Sequence, residues 1–576
     1  MVRLLARRRA LGRGFAATAV FAALALPASA QLVFDTNILF QNTAGTCSGA
    51  TGGLVPCGAT YGDCDLVNTL FPNNQVVDPR LNPQLATVDN PRWDPQAASP
   101  ALGRNGAPVT EVSALDPWFT DVCYAGAVPF ANGNPANDWT TGWTWYGQNG
   151  CTPELEAARL AGRPVVMVMA DIAANTNWTA NNIYSLVGRI GVLSGVTLTI
   201  QPGTIVVGTG TTSFLVIERG GNIDAQGTRQ SPIIFTSDAL CGQQLPGDWG
   251  GVVIHGLARA NCADVPPVQG GTGCRTTDGI NSCVSEGGAG SFGGIDDDDN
   301  SGTMRYCRIE YSGVEIAPNN ELNCLTMNGV GRNTTLEYLQ THRGSDDGFE
   351  WFGGTARCRF LVATSNSDDN LDWQMGYRGR VQFAVSRQNS EDGADKGIEA
   401  DNNEFNNNCP LESNPMFANL TLVGVLNVSG VGTAGINLRR GTNGVVVNSI
   451  IVGFTGFGLD IDNAPTFENC AGAVPALYTC PTSALGPDQT RQFVVSAGPN
   501  PTFGPSTLAF ELESESHVTV RIYDAAGRLV QTVIDGPMGA GPHRLPWEPQ
   551  NGAAGAYFYQ VLAGTQKASG RLMVLN

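Results

Sequence analysis

Three acidic segments of this chain repeat one another at almost constant spacing. They are Ser345-Asp-Asp-Gly-Phe-Glu-Trp351, Ser367-Asp-Asp-Asn-Leu-Asp-Trp373 and Ser390-Glu-Asp-Gly-Ala-Asp-Lys396, and their first residues are 22 and 23 positions apart. A period near twenty residues is too short for a domain and is typical of one coil of a solenoid. Equivalent acids then form three expected rows: Asp346 with Asp368 and Glu391, Asp347 with Asp369 and Asp392, and Glu350 with Asp372 and Asp395.

Carboxylates in such rows need a cation or hydrogen-bond donors to offset their repulsion. Equivalent residues of successive coils in a β-solenoid lie about 4.8 Å apart, and two charges at that distance repel by roughly 3 to 4 kcal/mol at an effective dielectric near 20. Ca²⁺ takes six to eight oxygen ligands and would convert this repulsion into binding. We therefore predict a Ca²⁺ site formed by Asp346, Asp347, Glu350, Asp368, Asp369, Asp372, Asp392 and Asp395.

Two other interpretations of the same residues stay open. Asp-Asp-Gly is also a β-turn sequence whose side chains accept hydrogen bonds from nearby backbone amides. The third interpretation is a catalytic cluster, because glycan hydrolysis needs two carboxylates at a defined separation and lyase chemistry needs a basic residue to remove a proton. The basic candidates beside the acidic turns are Arg343, Arg378, Arg380 and Lys396, and the aromatic candidates for stacking on sugars or for core packing are Trp351 and Trp373.

Strand-like runs precede the acidic turns and must position them. These runs are 335–339, 359–363 and 380–385, and similar β-branched runs separated by Gly or Asn turns recur from about residue 180 to 470. Short strands of this kind favour a parallel β-solenoid over a helical one. An acidic loop, Asp296-Asp-Asp-Asp299, is a weaker cation candidate because it lacks the spacing of an EF-hand. His342 is a candidate neighbour of the acids or a surface residue, and the chain has only 4 histidines.

The rest of the chain divides into further segments. Residues 1–30 combine an arginine-rich start, an apolar run and Ala28-Ser-Ala30, which predicts a signal peptide. No later stretch is long and apolar enough to span a bilayer. Residues 31–175 are rich in Pro, Asn and Gly and are expected to cap one end of the solenoid at 176–480. A linker at 481–491 leads to a β-sandwich at 492–576, where five alternating strand candidates begin with 507–512.

Charge and cysteine content bound the function further. The net charge of -18 argues against nucleic acid or an anionic membrane as a partner, since both require a basic surface. The chain has 15 cysteines, which in an exported protein predicts structural disulfides and one leftover thiol. The expected local groups are Cys47/Cys57/Cys64, Cys123/Cys151, Cys262/Cys274/Cys283 and Cys470/Cys480.

The C-terminal segment resembles the sorting domain of type IX secretion. The residues that carry the resemblance are Pro499-Asn-Pro501, Val520-Arg-Ile-Tyr-Asp524, Gly527-Arg528, Trp547 and Gly555-Ala-Tyr-Phe-Tyr559. It is equally similar to the immunoglobulin-like domain of flagellar hook-capping proteins. The resemblance implies an immunoglobulin-like fold that contacts the secretion machinery and directs export across the outer membrane. The usual Lys-Met near the end is Arg571-Leu-Met573 here, which puts processing rather than fold in question.

The solenoid resembles a group of secreted right-handed parallel β-helix proteins. The matching residues are Leu198-Thr-Ile-Gln-Pro-Gly203, Pro232-Ile-Ile-Phe-Thr-Ser237, Gly247-Asp-Trp-Gly-Gly251, Arg305-Tyr-Cys-Arg-Ile-Glu-Tyr311 and Asp346-Asp-Gly-Phe-Glu-Trp-Phe-Gly-Gly354. The resemblance implies an all-β fold, a right-handed parallel β-helix, at the cell surface. We expect a secreted, surface-displayed binding module for extended glycans or other surface polymers, stabilised by Ca²⁺. The alternative is a polysaccharide lyase or glycoside hydrolase that acts on extracellular glycans.

Overall fold

The computed structural model describes most of the chain between residues 32 and 574. The described residues are 32–40, 73–76, 78–81, 91–105, 108–131, 137–263, 274–278, 282–317, 320–390, 393–425, 432–462, 465–466, 496–498, 506–512, 516–524, 528–539, 541–548, 555–564 and 566–574. The predicted signal peptide and linker lie outside them. Among the described residues, no helix is long and apolar enough to cross a membrane.

Strands dominate the described residues. Strands β1 to β3 are Leu32–Asp35, Ile38–Phe40 and Gln75–Val76, and the α-helices are α1 at Val112–Leu115 and α2 at Pro153–Leu160. Strands β4 to β17 are Val165–Val168, Thr176–Trp178, Ile183–Leu186, Arg189–Val192, Thr197–Ile200, Ile205–Gly208, Phe214–Ile217, Asn222–Gln226, Ile233–Ser237, Val252–His255, Asn261–Ala263, Cys274–Thr276, Cys283–Val284 and Ser291–Phe292. Single 3-10 turns lie at Gly103–Asn105 and Glu286–Gly288.

The remaining strands complete the solenoid and form the C-terminal region. Strands β18 to β32 are Gly302–Glu310, Val314–Ala317, Asn320–Leu322, Leu325–Asn328, Thr335–His342, Phe349–Phe352, Arg357–Thr364, Leu371–Gln374, Arg380–Arg387, Lys396–Ala400, Met416–Val423, Ala434–Leu438, Gly444–Val447, Ile450–Val452 and Phe457–Ile461. Strands β33 to β39 are Ser496–Gly498, Ser506–Leu512, Ser516–Asp524, Leu529–Met538, Gly541–Trp547, Gly555–Ala563 and Gln566–Val574.

The solenoid is a right-handed parallel β-helix, as predicted. Its strands form three faces. Face 1 contains β4, β6, β9, β12, the second halves of β18, β22, β24, β26 and β28, and then β31, β2 and β3. Face 2 contains β5, β8, β11, the first halves of the same five long strands, and then β30 and β1. Face 3 contains β7, β10, β13, β21, β23, β25, β27, β29 and β32.

A bend in each long strand separates face 2 from face 1. At the bend the backbone has a positive φ, a conformation that is sterically costly for residues other than glycine. Aromatic stacking offsets this cost, because the ring centroids of consecutive bend residues are 4.4, 4.4 and 5.2 Å apart. The bend residues with positive φ are Tyr306, Tyr338, Phe360, Phe383, Asn419 and Asn448.

The N-terminal segment completes one end of the solenoid and then crosses its flank. Strand β1 pairs with β30 and β2 pairs with β31, so the first described residues form the last coil. The segment then runs back along the bend, where Gln382 binds both backbone groups of Thr120 and Gln340 binds those of Trp145. The segment was predicted to cap one end of the solenoid, but only part of it lies there. The side-chain amides of Gln382 and Gln340 hold the rest of it against the bends. The coils also begin earlier than residue 176, since β4 already pairs with β6.

The C-terminal region is formed by two antiparallel sheets. One contains β33, β34 and β37, and the other contains β36, β35, β38 and β39. A single apolar cluster, with Phe510, Ile522 and Val561 among its members, is shared by strands of both sheets. Strand β37 was not predicted, because Pro542 and Pro546 are unusual within a strand.

The attachment of the N-terminal segment yields a stability prediction. The Oδ1 of Asn448 accepts the backbone N–H of Thr110 at 2.6 Å and the hydroxyl of Thr36 at 2.8 Å, and its Nδ2 donates to Thr110 O at 3.0 Å. Asn448→Gly preserves access to positive φ but removes these bonds, so we expect a loss of about 3 kcal/mol in unfolding free energy. Thermal melting measures the loss, with the exposed Asn408→Gly as control. Equal melting temperatures for the two variants would contradict the assignment.

Candidate functional site

The acidic turns lead into consecutive strands of face 3, and the register brings their carboxylates together. Glu350 on β23 pairs with Asp372 on β25, and Asp372 pairs with Glu399 on β27. The predicted partner of Asp372 was Asp395, which is wrong because the structural register is displaced by four residues from the match between the acidic segments. Asp395 follows Asp368 instead, since its backbone N–H donates to Asp368 O at 3.0 Å.

A second row is joined by hydrogen bonds from backbone to side chain. The N–H of Asp347 donates to Asn323 Oδ1 at 3.2 Å, that of Asp369 to Asp347 Oδ1 at 2.9 Å, and that of Lys396 to Asp369 Oδ1 at 2.6 Å. Each side chain therefore binds the equivalent residue of the next coil. Asp347 and Asp369 are adjacent, as predicted. Their predicted partner Asp392 lies outside the described residues, as does Glu391, the predicted partner of Asp346 and Asp368.

These rows form four overlapping groups of three carboxylates, and within each group the oxygen atoms lie within 4.8 Å of one another. We call the eight residues of these groups the acidic array. The groups are Asp346/Asp347/Asp368, Asp347/Glu350/Asp372, Asp368/Asp369/Asp395 and Asp369/Asp372/Glu399. Asp347, Glu350, Asp369, Asp372 and Glu399 are buried, whereas Asp368 is exposed. Seven of the eight predicted ligands thus lie together, and Glu399 joins them.

Burial and mutual repulsion raise the pKa values of six of the eight carboxyl groups of the array: Asp346, Asp347, Glu350, Asp368, Asp369 and Asp372. Burial, and after it the charges of Asp368 and nearby glutamates, raises the pKa of Asp346 to about 8. The pKa values of Asp347, Glu350 and Asp372 are raised well above normal, first by burial and then by neighbouring carboxylates. Glu286, outside the array, reaches about 8 through burial and the charges of Glu321 and Glu404. Shifts of this size are typical of sites that bind ions or transfer protons.

Cations compensate only one side of the array. Lys396 Nζ lies 2.5 Å from Asp395 Oδ2, 2.7 Å from Glu399 Oε1 and 3.9 Å from Asp369 Oδ2. Arg439 binds Glu399 and lies 2.8 Å from Asp401 Oδ1. Burial opposes ionisation of Asp395, but hydrogen bonds from Lys396 and Thr433 lower its pKa below normal.

The other side of the array has amides in place of cations. Glu350 accepts hydrogen bonds from the side-chain amides of Asn323 and Gln374. Asp372 Oδ1 is buried and has no hydrogen-bond donor within the described part of the chain. Among the described residues, no lysine or arginine forms an ion pair with Asp346, Asp347 or Glu350. When these acids ionise, none of the described residues supplies an ion pair to Asp346, Asp347 or Glu350.

Two loops border the array, and disulfides fix them. The segment after β13 contains Cys262 and Cys283, which are joined, and Cys274 of the same segment is joined to Cys409 of the loop after β27. The Nδ2 of Asn261 also donates to Asn402 Oδ1 at 2.9 Å. The charge of Glu286 raises the pKa values of Glu350 and Asp346, and Glu404 in turn raises the pKa of Glu286.

The disulfide predictions were partly wrong. Cys262 and Cys283 pair within their predicted group, but Cys151 pairs with Cys241, and Cys123 is free. Pairing across coils follows from the stack, which brings distant residues together. The prediction of a single leftover thiol was also wrong. Besides Cys123, the free cysteines among the described residues are the buried Cys307, Cys324 and Cys358. The predicted groups at 47–64 and 470–480 lie outside the described residues.

Several other candidate residues have structural roles. Trp351 and Trp373 are fully buried and pack on Tyr377 and Phe417, with ring centroids 5.3 and 4.8 Å apart, so they cannot stack on a sugar. Of the predicted basic residues, only Lys396 contacts the array. Arg343 donates to Gln148, Arg378 to Asp297 and Arg380 to Asp116, because each points away from face 3.

The acidic loop and the histidine also serve the fold. Asp297 is buried against Arg259 and Arg378, whose hydrogen bonds outweigh burial and hold its pKa well below normal. His342 lies inside the protein on face 1, and burial lowers its pKa to about 4. Its Nδ1 lies 2.9 Å from Thr364 Oγ1 and its Nε2 lies 3.1 Å from Gly147 O. The prediction that His342 joins the acids or lies at the surface was wrong.

Sequence reasoning missed Glu399, Arg439 and Glu286 as neighbours of the array. Glu399 lies on β27 and Arg439 directly follows β29. Glu399 could have been predicted as the partner of Asp372 only if the displacement of the register had been known. No local pattern marks Glu286, because it reaches the array through a disulfide-bonded loop.

The raised pKa values predict that stability depends on pH. A carboxyl group with a raised pKa in the folded state holds a proton that the unfolded chain releases, so stability falls as pH rises from about 4 to about 8. In a buffer that contains a metal chelator, we expect the melting temperature to be at least about 5 °C lower at pH 8 than at pH 5. Asp347→Asn should reduce this drop, whereas the control Asp224→Asn on face 2 should not. A flat profile for the unsubstituted protein would contradict the prediction.

The chain was compared with known proteins. No curated protein matches it. Tailspike protein 2 of bacteriophage CBA120, in its enzymatically active domain, is 10% identical over 67% of this chain and 72% of that chain, with a TM-score of 0.21. An Acinetobacter phage tailspike protein is 10% identical over 80% of this chain and 83% of that chain, with a TM-score of 0.20. These scores are too low to transfer an activity.

A family model supports the fold much more directly. It describes a pectate-lyase-like β-helix domain and matches residues 170–479, which include the coils from β5 to β32 and the whole acidic array. Because the match covers more than half of the chain, the protein belongs to the pectate-lyase-like β-helix domain family.

Proposed function

We propose that this protein is an exported, cell-surface β-helix that binds extended extracellular glycans or other surface polymers, and that the acidic array holds Ca²⁺. The main supporting observation is that Asp347, Glu350 and Asp372 are buried together, and none of them forms an ion pair with a lysine or arginine of the described residues. Isolated charges in such surroundings are costly unless they neutralise or bind a metal. The raised pKa values show how strongly these acids disfavour ionisation without a counter-ion.

The donor set fits Ca²⁺ in its chemistry. All groups are carboxylates, and hard oxygen donors favour Ca²⁺ over metals that prefer nitrogen or sulfur. Two oxygens bound to one Ca²⁺ are at most about 5 Å apart, and the oxygens of each group lie within 4.8 Å. Asp372 Oδ1 supplies a buried acceptor that has no donor among the described residues. Asp347, Glu350 and Asp372 would hold an inner ion.

Lys396 supports this assignment because it supplies a positive charge one coil further along. Its backbone continues the ladder of Asp347 and Asp369, and its ammonium group lies among Asp369, Asp395 and Glu399. The equivalent position on the preceding coil has no lysine. We infer that a bound cation there does what the ammonium group of Lys396 does on the next coil.

The group formed by Asp346, Asp347 and Asp368 lies nearest the surface and connects the proposed ion to ligand binding. Asp368 is exposed and Asp346 is half-buried, so an ion held by these residues and Asp347 would keep coordination positions open to solvent. A carboxylate or hydroxyl oxygen of an acidic polysaccharide would fit such a position. Face 3 continues on both sides of the array as a row of strands, which suits an extended polymer.

Export and anchoring belong to the same proposal. The predicted signal peptide and the resemblance of the C-terminal segment to type IX sorting domains support delivery to the outer surface. The two-sheet arrangement at 496–574 is compatible with an immunoglobulin-like sorting domain that contacts the secretion machinery.

The lyase or hydrolase alternative keeps one supporting observation. The pKa values of Asp346 and Glu286 are raised to about 8, by burial and nearby carboxylates, as a general acid requires. A lyase also needs a free base, and Lys396 is already paired with Asp395 and Glu399. The binding module therefore accounts for more of the array.

Calcium-dependent melting tests the proposed ion. Saturating Ca²⁺, at about 100 times its dissociation constant, should stabilise the protein by about 2.7 kcal/mol. Asp372→Asn should abolish that shift while leaving the metal-free protein as stable or more stable, because it removes a buried charge. Asp224→Asn serves as the control and should keep the shift. No Ca²⁺ shift in the unsubstituted protein would refute the metal site.

The same samples separate binding from catalysis. Incubation with a uronate polymer and Ca²⁺ should give polymer binding without unsaturated or reducing ends. Product formation that is lost in Asp369→Ala would establish the enzyme instead. Neither binding nor product formation would leave Ca²⁺ with a structural role alone and would refute the glycan proposal.

The role of Lys396 gives a further prediction. Lys396→Met leaves Asp369, Asp395 and Glu399 without the ammonium group, so the metal-free protein should lose about 3 to 5 kcal/mol. Calorimetric titration should then show one more Ca²⁺ bound than in the unsubstituted protein. An unchanged stoichiometry together with unchanged stability would show that Lys396 does not act as a built-in cation.

A further inference from the structure

The end of the solenoid formed by β4 and β5 is open. Strand β4 pairs only with β6, and β5 pairs only with β8, so one edge of each lacks a partner among the described residues. Unpaired strand edges are ready templates for association with another chain, and terminal coils of solenoids normally carry a polar cover. At the opposite end β1, β2 and β3 of the same chain form the last coil, and the side chains of β1 are all buried.

The open end is also apolar. Val165 is 57% exposed, Met167 52% and Met169 71%. With Leu160 and Val166 they make five of the 13 exposed large apolar residues in the described chain, all within ten positions. Such a concentration marks an interaction surface rather than scattered exposure.

The first strands of the same chain are already used at the other end, where β1, β2 and β3 form the last coil. Face 3 has nine strands, so the two ends are separated by about 38 Å. A partner that arrives with its own apolar edge is the simpler cover.

Charge selects the partner and its orientation. Arg159 and Arg163 precede β4, and Asp171 follows it, 3.7 Å from Arg189 of the same copy but with 44% of its side chain still exposed. Antiparallel pairing of β4 with β4 of a second copy, centred on Met167, places Val165 opposite Met169 and Arg163 opposite Asp171. A parallel arrangement would place like charges together. Residues 164–170 have no charged side chain in a chain of net charge -18, so two copies of this segment do not repel one another.

We propose that a second copy of this chain covers the open end, forming a two-fold dimer through antiparallel pairing of the two β4 strands. The interface joins the apolar residues at 165–169 of both copies and two Arg163–Asp171 pairs. The solenoids then point away from each other, and the acidic array of each copy stays accessible. This inference does not depend on the proposed Ca²⁺ site.

Analytical ultracentrifugation of the mature protein over a concentration series tests the dimer. Met167→Lys puts two ammonium groups at the two-fold axis and should raise the dissociation constant at least tenfold, while the half-exposed position keeps the monomer folded. Phe405→Lys, at a residue 58% exposed far from β4, is the matched control and should leave the constant unchanged. A monomeric unsubstituted protein at all concentrations, or equal effects of both variants, would overturn the proposal.

Charge reversal tests the orientation separately. Arg163→Asp and Asp171→Arg should each weaken the dimer at least threefold, and the double variant should recover most of the loss. Circular dichroism and melting of each variant confirm that the monomer is folded. A double variant that is weaker than either single variant would rule out the antiparallel arrangement.

Discussion

In-register stacking of the coils is the constraint on which the structure depends. Parallel hydrogen bonding holds each strand one spacing from the next, so a residue type repeated along the chain becomes a continuous row. Two neighbouring rows on face 3 show the effect. The inward row is apolar, with Leu325, Phe349, Leu371, Ile398, Ile436 and Leu459. The next row is polar, with Thr326, Glu350, Asp372, Glu399, Asn437 and Asp460.

This constraint explains how so many carboxylates can be held together. The hydrogen bonds and the apolar row fix the backbone, so the acids cannot move apart without breaking the stack. The fold reduces the cost by using one oxygen each of Asp347 and Asp369 to accept a backbone N–H from the next coil. Lys396 also occupies the position after Asp347 and Asp369 in their row, where a third carboxylate was predicted. The remaining charge lies where no side chain of the described residues neutralises it.

The sequence predicted what repeats and missed what interrupts the repeat. The strand runs at 335–339, 359–363 and 380–385 became β22, β24 and β26, and the adjacency of Asp347 and Asp369 followed from the spacing alone. The third coil departs because Glu399 lies 27 residues after Asp372, whereas Asp372 lies 22 after Glu350. A displacement of this kind has no local signal, since each possible register offers an acid.

Contacts between distant parts of the chain were equally hidden. Strand β1 pairs with β30 more than four hundred positions away, and Cys274 joins Cys409 across 135 residues. Nothing in the local sequence of Leu32–Asp35 distinguishes a last coil from an isolated strand. Trp351 and Trp373 were ambiguous for a related reason, because a tryptophan at a repeat position is suited both to a core row and to an exposed binding row.

The difference between the two ends limits how copies of the chain can assemble. A head-to-tail contact would need an open edge at both ends and would continue into a filament. Here the far end finishes on face 1 with β3, which has only two residues, and a short edge strand is a poor template for pairing. The near end presents the four residues of β4. The side chains of β4 are exposed and apolar, whereas the four side chains of β1 at the far end are buried, so a two-fold contact between near ends buries the larger apolar surface.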